Sequence, residues 1–187
     1  MDFYQPAEDS YFLCEVIKKY LKKLKNLDRQ KIMVLDMGTG SGIQSENCIK
    51  SKIPKHNILA VDINENALKQ AKKLKIKTIK SDLFLKLKNE KFDLIIFNPP
   101  YLPENKYDKK ADTTGGKNGD EVIIRFIKQL KIHLLNKGVC FLLTSSLTPE
   151  KKWIGKAKKQ KLQVKKVGEK KLFFEELFIW EIKWSVA

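Results

Sequence analysis

The nine residues VLDMGTGSG, 34 to 42, decide the predicted fold of this 187-residue chain. An apolar run ends there in glycines at alternate positions, Gly38, Gly40 and Gly42, directly before a segment with helical spacing. Glycines allow a sharp turn and a close approach to a ligand, and the first turn of a helix offers free N–H groups. The stretch therefore predicts a buried strand, a ligand-binding turn and a helix. Its G-x-G-x-G spacing is not that of the G-x-G-x-x-G dinucleotide fingerprint.

Strands and helices alternate on both sides of this unit. An amphipathic helix over about residues 8 to 25 precedes it, and several later strands are continuously apolar, which indicates a mainly parallel sheet covered on both faces. The last two β-rich segments are joined by the short GEKK, so we expect an antiparallel hairpin at one edge. The pattern predicts an α/β fold in one doubly wound domain over residues 1 to 187. The predicted strands cover about residues 31–38, 57–63, 76–82, 92–98, 138–146, 161–168 and 172–184, and the later helices cover about 42–51, 64–75, 120–135 and 149–160.

Composition limits the setting in which this fold works. An apolar content of 42% is enough for an ordinary core. Three widely spaced cysteines and two histidines support neither a disulfide framework nor a metal site, so we expect no metal and a reducing cytoplasm. The chain shows no N-terminal signal and no uncharged apolar run near the roughly 20 residues of a membrane span, so we expect no membrane contact.

The formal net charge of +16 comes almost wholly from lysine. Such a charge would attract anionic partners, and a nucleic acid bound through a basic surface is one possibility. Lysines spread through every predicted helix are equally typical of a biased genome composition or of adaptation to heat. Charge alone therefore names no partner.

Acidic residues end the first three predicted strands, where open sheets of this kind bind ligands. Asp36 precedes the glycines, where a carboxylate would repel a pyrophosphate but attract a cation such as the sulfonium or amino group of S-adenosylmethionine. Asp62 is placed to accept both ribose hydroxyls. Asp82 could accept from an adenine amino group, with Leu83 packing on the ring. The pattern predicts a site for an adenosyl ligand without phosphates.

The fourth predicted strand runs directly into Asn98, Pro99, Pro100 and Tyr101. Prolines lack an N–H group, so the peptide carbonyls here stay free for a partner outside the sheet. The Asn98 side-chain oxygen and the Pro99 carbonyl could accept the two hydrogens of a planar NH₂ group. This arrangement would localise the nitrogen lone pair and direct it at a methyl donor, with Tyr101 stacked on the substrate.

These motifs together resemble a known enzyme family. VLDMGTGSG, VDIN, SDLF and FNPPY look like a class I S-adenosylmethionine-dependent methyltransferase that methylates amino nitrogens. YQPAEDSYFL at 4 to 13 and GGKNGDEVIIRF at 115 to 126 resemble the HemK-like release-factor glutamine methyltransferases, in their short archaeal and eukaryotic branch. The resemblance covers essentially the full chain. It implies a Rossmann-like fold with a mostly parallel seven-stranded sheet, helices on both faces and a C-terminal antiparallel hairpin at the edge, and residues 1–27 packing on the domain.

The resemblance also implies a reaction and its participants. The reaction is methylation of the glutamine side-chain amide in the Gly-Gly-Gln motif of a class 1 translation release factor, and the expected partner is a small zinc-binding activator protein in a heterodimer. Asn98, Pro99 and Tyr101 fall at the catalytic positions of the family. The positions that hold the substrate are occupied by Asn98, Pro99, Pro100 and Tyr101. The positions that contact the cofactor in this family are occupied by Ser10, Asp36, Gly38, Gly40, Asp62, Asp82, Leu83 and Asn98.

Two other functions remain open at this point. The NPPY motif also suits N6-adenine or N4-cytosine methylation of DNA or RNA, because those bases present the same planar NH₂ group. A chain with only two arginines is poorly equipped for bidentate base contacts, however. A non-catalytic module that binds nucleic acid or the ribosome is the alternative of another class.

Two segments have no assigned role. The charged loop at about residues 102 to 118 suits either a lid or a solvated insertion, and Asn118 in it could cap the next helix. The C-terminal LFFEELFIWEIKW is unusually aromatic, and alternation cannot place all of Phe173, Phe174 and Trp184 inside. An exposed apolar edge there would suit contact with an activator.

Overall fold

A computed structural model of the chain describes residues 3–104 and 113–185. Helices and strands alternate along most of this length, as the apolar pattern predicts. The helices are α1 Glu8–Lys23, α2 Asn26–Arg29, α3 Ile43–Lys50, α4 Glu65–Lys72, α5 Glu121–His133 and α6 Lys151–Lys159, with a short 3-10 turn at Lys55–Asn57. The strands are β1 Val34–Met37, β2 Ile58–Asp62, β3 Lys77–Lys80, β4 Phe92–Phe97, β5 Leu134–Ser145, β6 Leu162–Lys171 and β7 Glu176–Trp184.

The seven strands form one mixed sheet in the order β3-β2-β1-β4-β5-β7-β6. The first five strands are parallel, and β7 pairs antiparallel with both β5 and β6. The predicted seven-stranded, Rossmann-like α/β fold with an antiparallel hairpin at one edge is confirmed. Strand order reverses between β1 and β4, so the carboxyl ends of these two strands flank the crevice in which such sheets bind ligands.

The central strands are apolar because both of their faces are covered. All four residues of β1 are buried, as are five of the six in β4. Helix α1 contributes Leu13, Ile17 and Leu21, which recur every fourth residue on one helical face and are fully buried. This face packs α1 near α3, β5 and β7 and so brings the N-terminal segment to the sheet.

The predicted position of the final hairpin turn is wrong. GEKK does not connect the two strands, because it lies inside β6, and the turn falls at residues 172–175, where the Leu172 amide donates to the Glu175 carbonyl. Gly168 is needed for helix packing instead, since a Cβ there would lie 3.0 Å from the ring of Phe12 on α1. A register shift between Lys166 and Gly168 accommodates this contact. A glycine beside charged residues was therefore misread as a turn.

Two further features of the described ranges concern membranes and metals. None of their helices is long and apolar enough to cross a bilayer. Their His, Cys, Asp and Glu side chains form no group of three or more that could hold a metal ion.

Candidate active site

The carboxyl ends of β1 to β4 open into a cavity of about 880 Å³. This volume is within the range of sites that hold cofactors and small substrates. The structure brings all of the predicted site residues to this cavity, including residues separated by more than 80 positions in the chain. Its lining contains Ser10, Asp36, Gly38, Gly40, Asp62, Asp82, Leu83, Asn98, Pro99, Pro100 and Tyr101.

Asp36 holds the glycine turn in place. Its Oδ2 accepts hydrogen bonds from the Thr39 hydroxyl at 2.7 Å and from the Ser45 hydroxyl and amide at 2.6 and 3.1 Å. The side chain is almost fully buried, and this burial raises the pKa of its carboxyl to about 6. No hydrogen bond within residues 3–104 and 113–185 uses Oδ1. Asp36 therefore shapes the turn, a role that sequence reasoning missed, and keeps one oxygen for a ligand.

Asp62 connects the glycine turn to the end of β2. Its Oδ2 accepts from the Gly40 amide at 2.9 Å, and its Oδ1 accepts from the Asn64 amide at 2.8 Å. A carboxylate has about four lone-pair sites, so Asp62 keeps capacity for a ribose hydroxyl. Gly38 completes the turn with a φ of +62°, and a Cβ there would lie 3.2 Å from the Phe97 ring.

Asp82 follows β3 and is paired with a residue that the sequence analysis did not single out. Its Oδ2 lies 2.5 Å from a guanidinium nitrogen of Arg125, which projects from α5 and also lines the cavity. Leu83, with a φ of +49°, is buried beside it. The signal for Arg125 was present in GGKNGDEVIIRF, where it is one of only two arginines in the chain. The ion pair is part of the cavity lining.

The carboxylate of Asp9 lies at the other end of the cavity and gathers four donors. The hydroxyl of Tyr4, the amide of Ser10, the side-chain amide of Asn98 and the hydroxyl of Tyr101 all approach it. Asp9 is 4% exposed and lines the cavity. The PAED motif contained this residue, but only the following serine was assigned a role. A contact between residues 89 positions apart leaves no trace in local spacing.

The Asn98 amide is oriented by this carboxylate. Because a carboxylate only accepts hydrogen bonds, the Nδ2 group of Asn98 faces Asp9, at 3.0 Å from Oδ2. Oδ1 of Asn98 is then left buried and without a hydrogen-bond partner among the described residues. An unsatisfied buried acceptor costs about 1–3 kcal/mol. Since Asn98 lines the cavity, a ligand that donates a hydrogen is the partner that suits it.

Comparison with known proteins identifies the family of this site. Residues 18–173 match the family described as the methyltransferase small domain. The chain belongs to this methyltransferase family. The methyltransferase is 40% identical over 190 residues to a Methanocaldococcus jannaschii protein whose provisional name is protein N5-glutamine methyltransferase, with 95% of this chain and 90% of that protein covered. It is 31% identical over 157 residues to human methyltransferase HEMK2, with 76% and 72% covered.

A solved structure extends this likeness to the fold. The structure is that of the E. cuniculi Mtq2-Trm112 complex, which is described as responsible for methylation of the translation termination factor eRF1. The methyltransferase matches a chain of that complex with a TM-score of 0.79 and 25% identity, over 99% of this chain and 100% of the other.

The glycine-rich segment of the methyltransferase supports its NPPY loop. A Cβ on Gly115 would lie 2.6 Å from the Pro100 carbonyl oxygen, and one on Gly119 would lie 2.6 Å from that of Tyr101. Only glycine allows this approach without displacing the loop. The Tyr101 carbonyl also accepts a hydrogen bond from the Thr148 hydroxyl at 3.0 Å. The glycine-rich segment and the NPPY loop, two of the motifs that carried the family resemblance, are therefore in direct contact.

The polar loop after the NPPY loop is described only in part, since residues 105–112 lie outside the described residues. The last part of this loop leads into α5. There the backbone amide and the Nδ2 group of Asn118 donate hydrogen bonds to the carboxylate of Glu121, the first residue of the helix. These bonds lower the pKa of Glu121, although burial opposes them. Asn118 is thus a donor to the first residue of the helix, and not an acceptor from its free amides as a helix cap would be.

Tyr101 remains neutral in this site. It is 9% exposed, and burial, followed by the charges of Asp9 and Glu175, raises the pKa of its hydroxyl. The ring lines the cavity next to Asn98 and the two prolines. No described residue donates a hydrogen bond to the Pro99 carbonyl, which leaves that oxygen available next to the Asn98 amide.

Proposed function

We propose that the chain transfers a methyl group from S-adenosylmethionine to the side-chain amide of the glutamine in the Gly-Gly-Gln motif of a class 1 translation release factor. The observation that carries this proposal is the buried Asn98 Oδ1 without a partner, oriented by Asp9. The named activities of the M. jannaschii relative and of the E. cuniculi complex favour a glutamine of a termination factor as the substrate.

The cavity has the features that S-adenosylmethionine requires. Asp62 would hold the ribose hydroxyls, Asp82 and Leu83 the adenine, and Ser10, Asp36 and the glycine turn the amino-acid part. When bound, the cofactor supplies an electrophilic methyl group on a sulfonium. Asp36 is suited to the positive end because its Oδ1 takes part in no hydrogen bond of the described residues.

The NPPY residues would then orient the substrate amide. Oδ1 of Asn98 and the Pro99 carbonyl accept its two hydrogens, and the Tyr101 ring packs on its plane. Delocalisation into the amide carbonyl weakens the nucleophile, and hydrogen bonds outside that plane return electron density to nitrogen. The cofactor would supply the methyl group to the nitrogen that Asn98 and Pro99 orient, and one proton of that nitrogen would pass to water. Catalysis rests on orientation and electrostatics, with no base taken from the protein.

Labelled cofactor provides the direct test. Incubation with methyl-labelled S-adenosylmethionine and the cognate release factor is expected to label the factor, and labelling is expected to disappear when the motif glutamine is replaced by alanine. Oligonucleotides of DNA and RNA serve as parallel substrates. Undiminished labelling of the glutamine variant, or labelling of oligonucleotides alone, would falsify the proposal.

Cofactor binding is expected to weaken below pH 6. The Asp36 carboxyl has a pKa of about 6 because it is buried. A cationic ligand favours the ionised form, so at lower pH binding must first displace a proton. The dissociation constant should therefore rise as pH falls, by at most about tenfold per pH unit, and should level off above pH 6.

Calorimetry over about pH 5 to 8 measures this dependence. Asp36→Asn is the matched control, because it keeps an acceptor for Thr39 and Ser45 but cannot ionise. This variant is expected to bind more weakly and to lose the rise below pH 6. The same pH profile in both proteins would show that Asp36 does not contact the cationic end.

A small activator protein completes the proposed assembly in the cytoplasm. The support is the similar chain from E. cuniculi, which was solved in complex with Trm112. The zinc expected in such a heterodimer would belong to the partner. Co-expression with a candidate partner, followed by size-exclusion chromatography, tests this assembly.

Methylation of a nucleic-acid amine remains the second candidate. The net charge of +16 favours it, since it would attract a phosphate backbone. The oligonucleotide substrates of the labelling assay test it directly. A non-catalytic role is disfavoured by membership of the methyltransferase family and by the intact NPPY loop.

A further inference from the structure

The turn at residues 172–175, between β6 and β7, lies at the rim of the active-site cavity. Strand β7 is antiparallel to β5, and Leu177 at its start pairs with Ser145 at the end of β5. The Ser146 amide, one residue further, donates to the Glu176 carbonyl at 2.7 Å. The turn therefore lies on the same side of the sheet as the carboxyl ends of β1 and β4.

Glu175 points from this turn into the cavity. Its side chain is part of the lining, and its Oε2 is buried with no hydrogen-bond partner among the described residues. Burial raises the pKa of Glu175, a hydrogen bond with the Ser145 side chain opposes this rise and the Asp9 charge adds to it, and Glu175 in turn raises the pKa of Tyr101. Glu175, Asp9 and Tyr101 all line this cavity, in which the substrate amide would bind.

Two phenylalanines precede Glu175 and face solvent. Phe173 is 91% exposed and Phe174 is 86% exposed, and their ring centroids are 4.7 Å apart at an interplanar angle of 79°. They are the most exposed large apolar side chains of the described residues. A phenylalanine pair that faces solvent next to a binding cavity is typical of a contact surface.

We infer that residues 172–175 form a docking element for the segment of the substrate protein that carries the target glutamine. Glu175 accepts a backbone N–H of that segment, and Phe173 and Phe174 pack against an apolar side chain of the substrate protein. This inference rests on the proposed function, because it requires a protein substrate.

The position of the turn favours the substrate protein as the molecule that binds to it. A glutamine side chain is short, so a glutamine whose amide reaches Asn98 must have its backbone at the cavity rim. Glu175 occupies that rim beside Tyr101 and offers an unpaired acceptor, which a backbone amide satisfies. The phenylalanines belong to the same turn and immediately precede Glu175 in the sequence.

Two variants test the inference with the intact release factor as substrate. The double substitution Phe173→Ser and Phe174→Ser is expected to raise KM for the factor about tenfold, a loss in binding with turnover number retained. Glu175→Gln, which replaces one acceptor oxygen by a donor, is expected to raise KM by a similar factor of about ten. Calorimetry is expected to show unchanged affinity of both variants for S-adenosylmethionine.

Ile132→Ala is the matched control. Ile132 is also an exposed apolar residue, at 54%. It lies in the last turn of α5, near the amino ends of the strands and away from the cavity. Its replacement is expected to leave KM unchanged. Because Phe173, Phe174 and Ile132 are exposed, their variants should retain the melting temperature of the parent protein, which a thermal scan checks.

The other occupants give distinct results, each of which would overturn the inference. Unchanged KM in both variants shows that the substrate does not touch the turn. Weaker binding of S-adenosylmethionine by Glu175→Gln assigns that carboxylate to the cofactor. Loss of an activator complex, or of a dimer, in the phenylalanine variant assigns the surface to the activator or to a second copy. Absence of labelling of the release factor by the parent protein instead removes the proposed function, and the inference with it.

Discussion

Asn98→Ala is expected to lower the turnover number of the methyltransferase by about 1,000-fold, an effect of the size seen when one preorganised polar group of an active site is deleted. The substitution removes the buried Oδ1 that would hold the substrate amide, and the Pro99 carbonyl alone cannot fix the amide plane. Steady-state kinetics with labelled cofactor and release factor measures the loss. Calorimetry should show a change of less than about threefold in affinity for S-adenosylmethionine, because the cofactor keeps its other predicted contacts and the lost acceptor serves the substrate amide.

Asn57→Ala is the matched control for this prediction. Asn57 is also a buried asparagine, and its Nδ2 donates to the Gln30 carbonyl at 2.9 Å. It directly precedes β2, at the amino end of that strand, whereas the cavity lies at the carboxyl ends. Its loss should lower the melting temperature with little effect on turnover. Equal losses of turnover and of cofactor affinity in Asn98→Ala would contradict the orienting role.

The features that the sequence predicted correctly are those with a local cause. Strand β1 is a run of apolar residues because it lies between β2 and β4 and both of its faces are covered. The turn after it needs glycine at Gly38, where φ is positive and the Phe97 ring is close. The prolines after β4 cannot continue a strand. The positive φ of Gly38 and the missing N–H groups of the prolines are local, and the covered faces of β1 are recorded in its own apolar residues, so each leaves a readable pattern.

The features that were missed arise from contacts between distant segments. Gly168 is a glycine because α1 packs on β6, and Phe12 of that helix is far away in the chain. Arg125 became part of the site only because α5 brings it to Asp82 at the end of β3. Neither contact changes the local hydrophobic pattern. Sequence alone could therefore place the cavity but could not identify every residue that shapes it.

Asp9→Asn is expected to lower turnover by about 100-fold, although the side chain keeps its size. Four donors converge on the carboxylate of Asp9, and an amide has only one acceptor oxygen for them. When the new NH₂ group faces Asn98, that side chain must turn its oxygen toward it. The substrate amide would then meet the Nδ2 group of Asn98, a donor where an acceptor is required.

A double-mutant cycle separates this positioning role from a general loss of structure. In the Asn98→Ala background, Asp9→Asn should cost less than about threefold in turnover, because there is no longer an amide to orient. Asp93→Asn is the matched control, since its carboxylate accepts from the Met33 amide at 2.9 Å at the far end of β4. This control is expected to have additive and small effects in both backgrounds. If the effect of Asp9→Asn persists in full when Asn98 is absent, Asp9 acts on catalysis by a route other than the orientation of that amide.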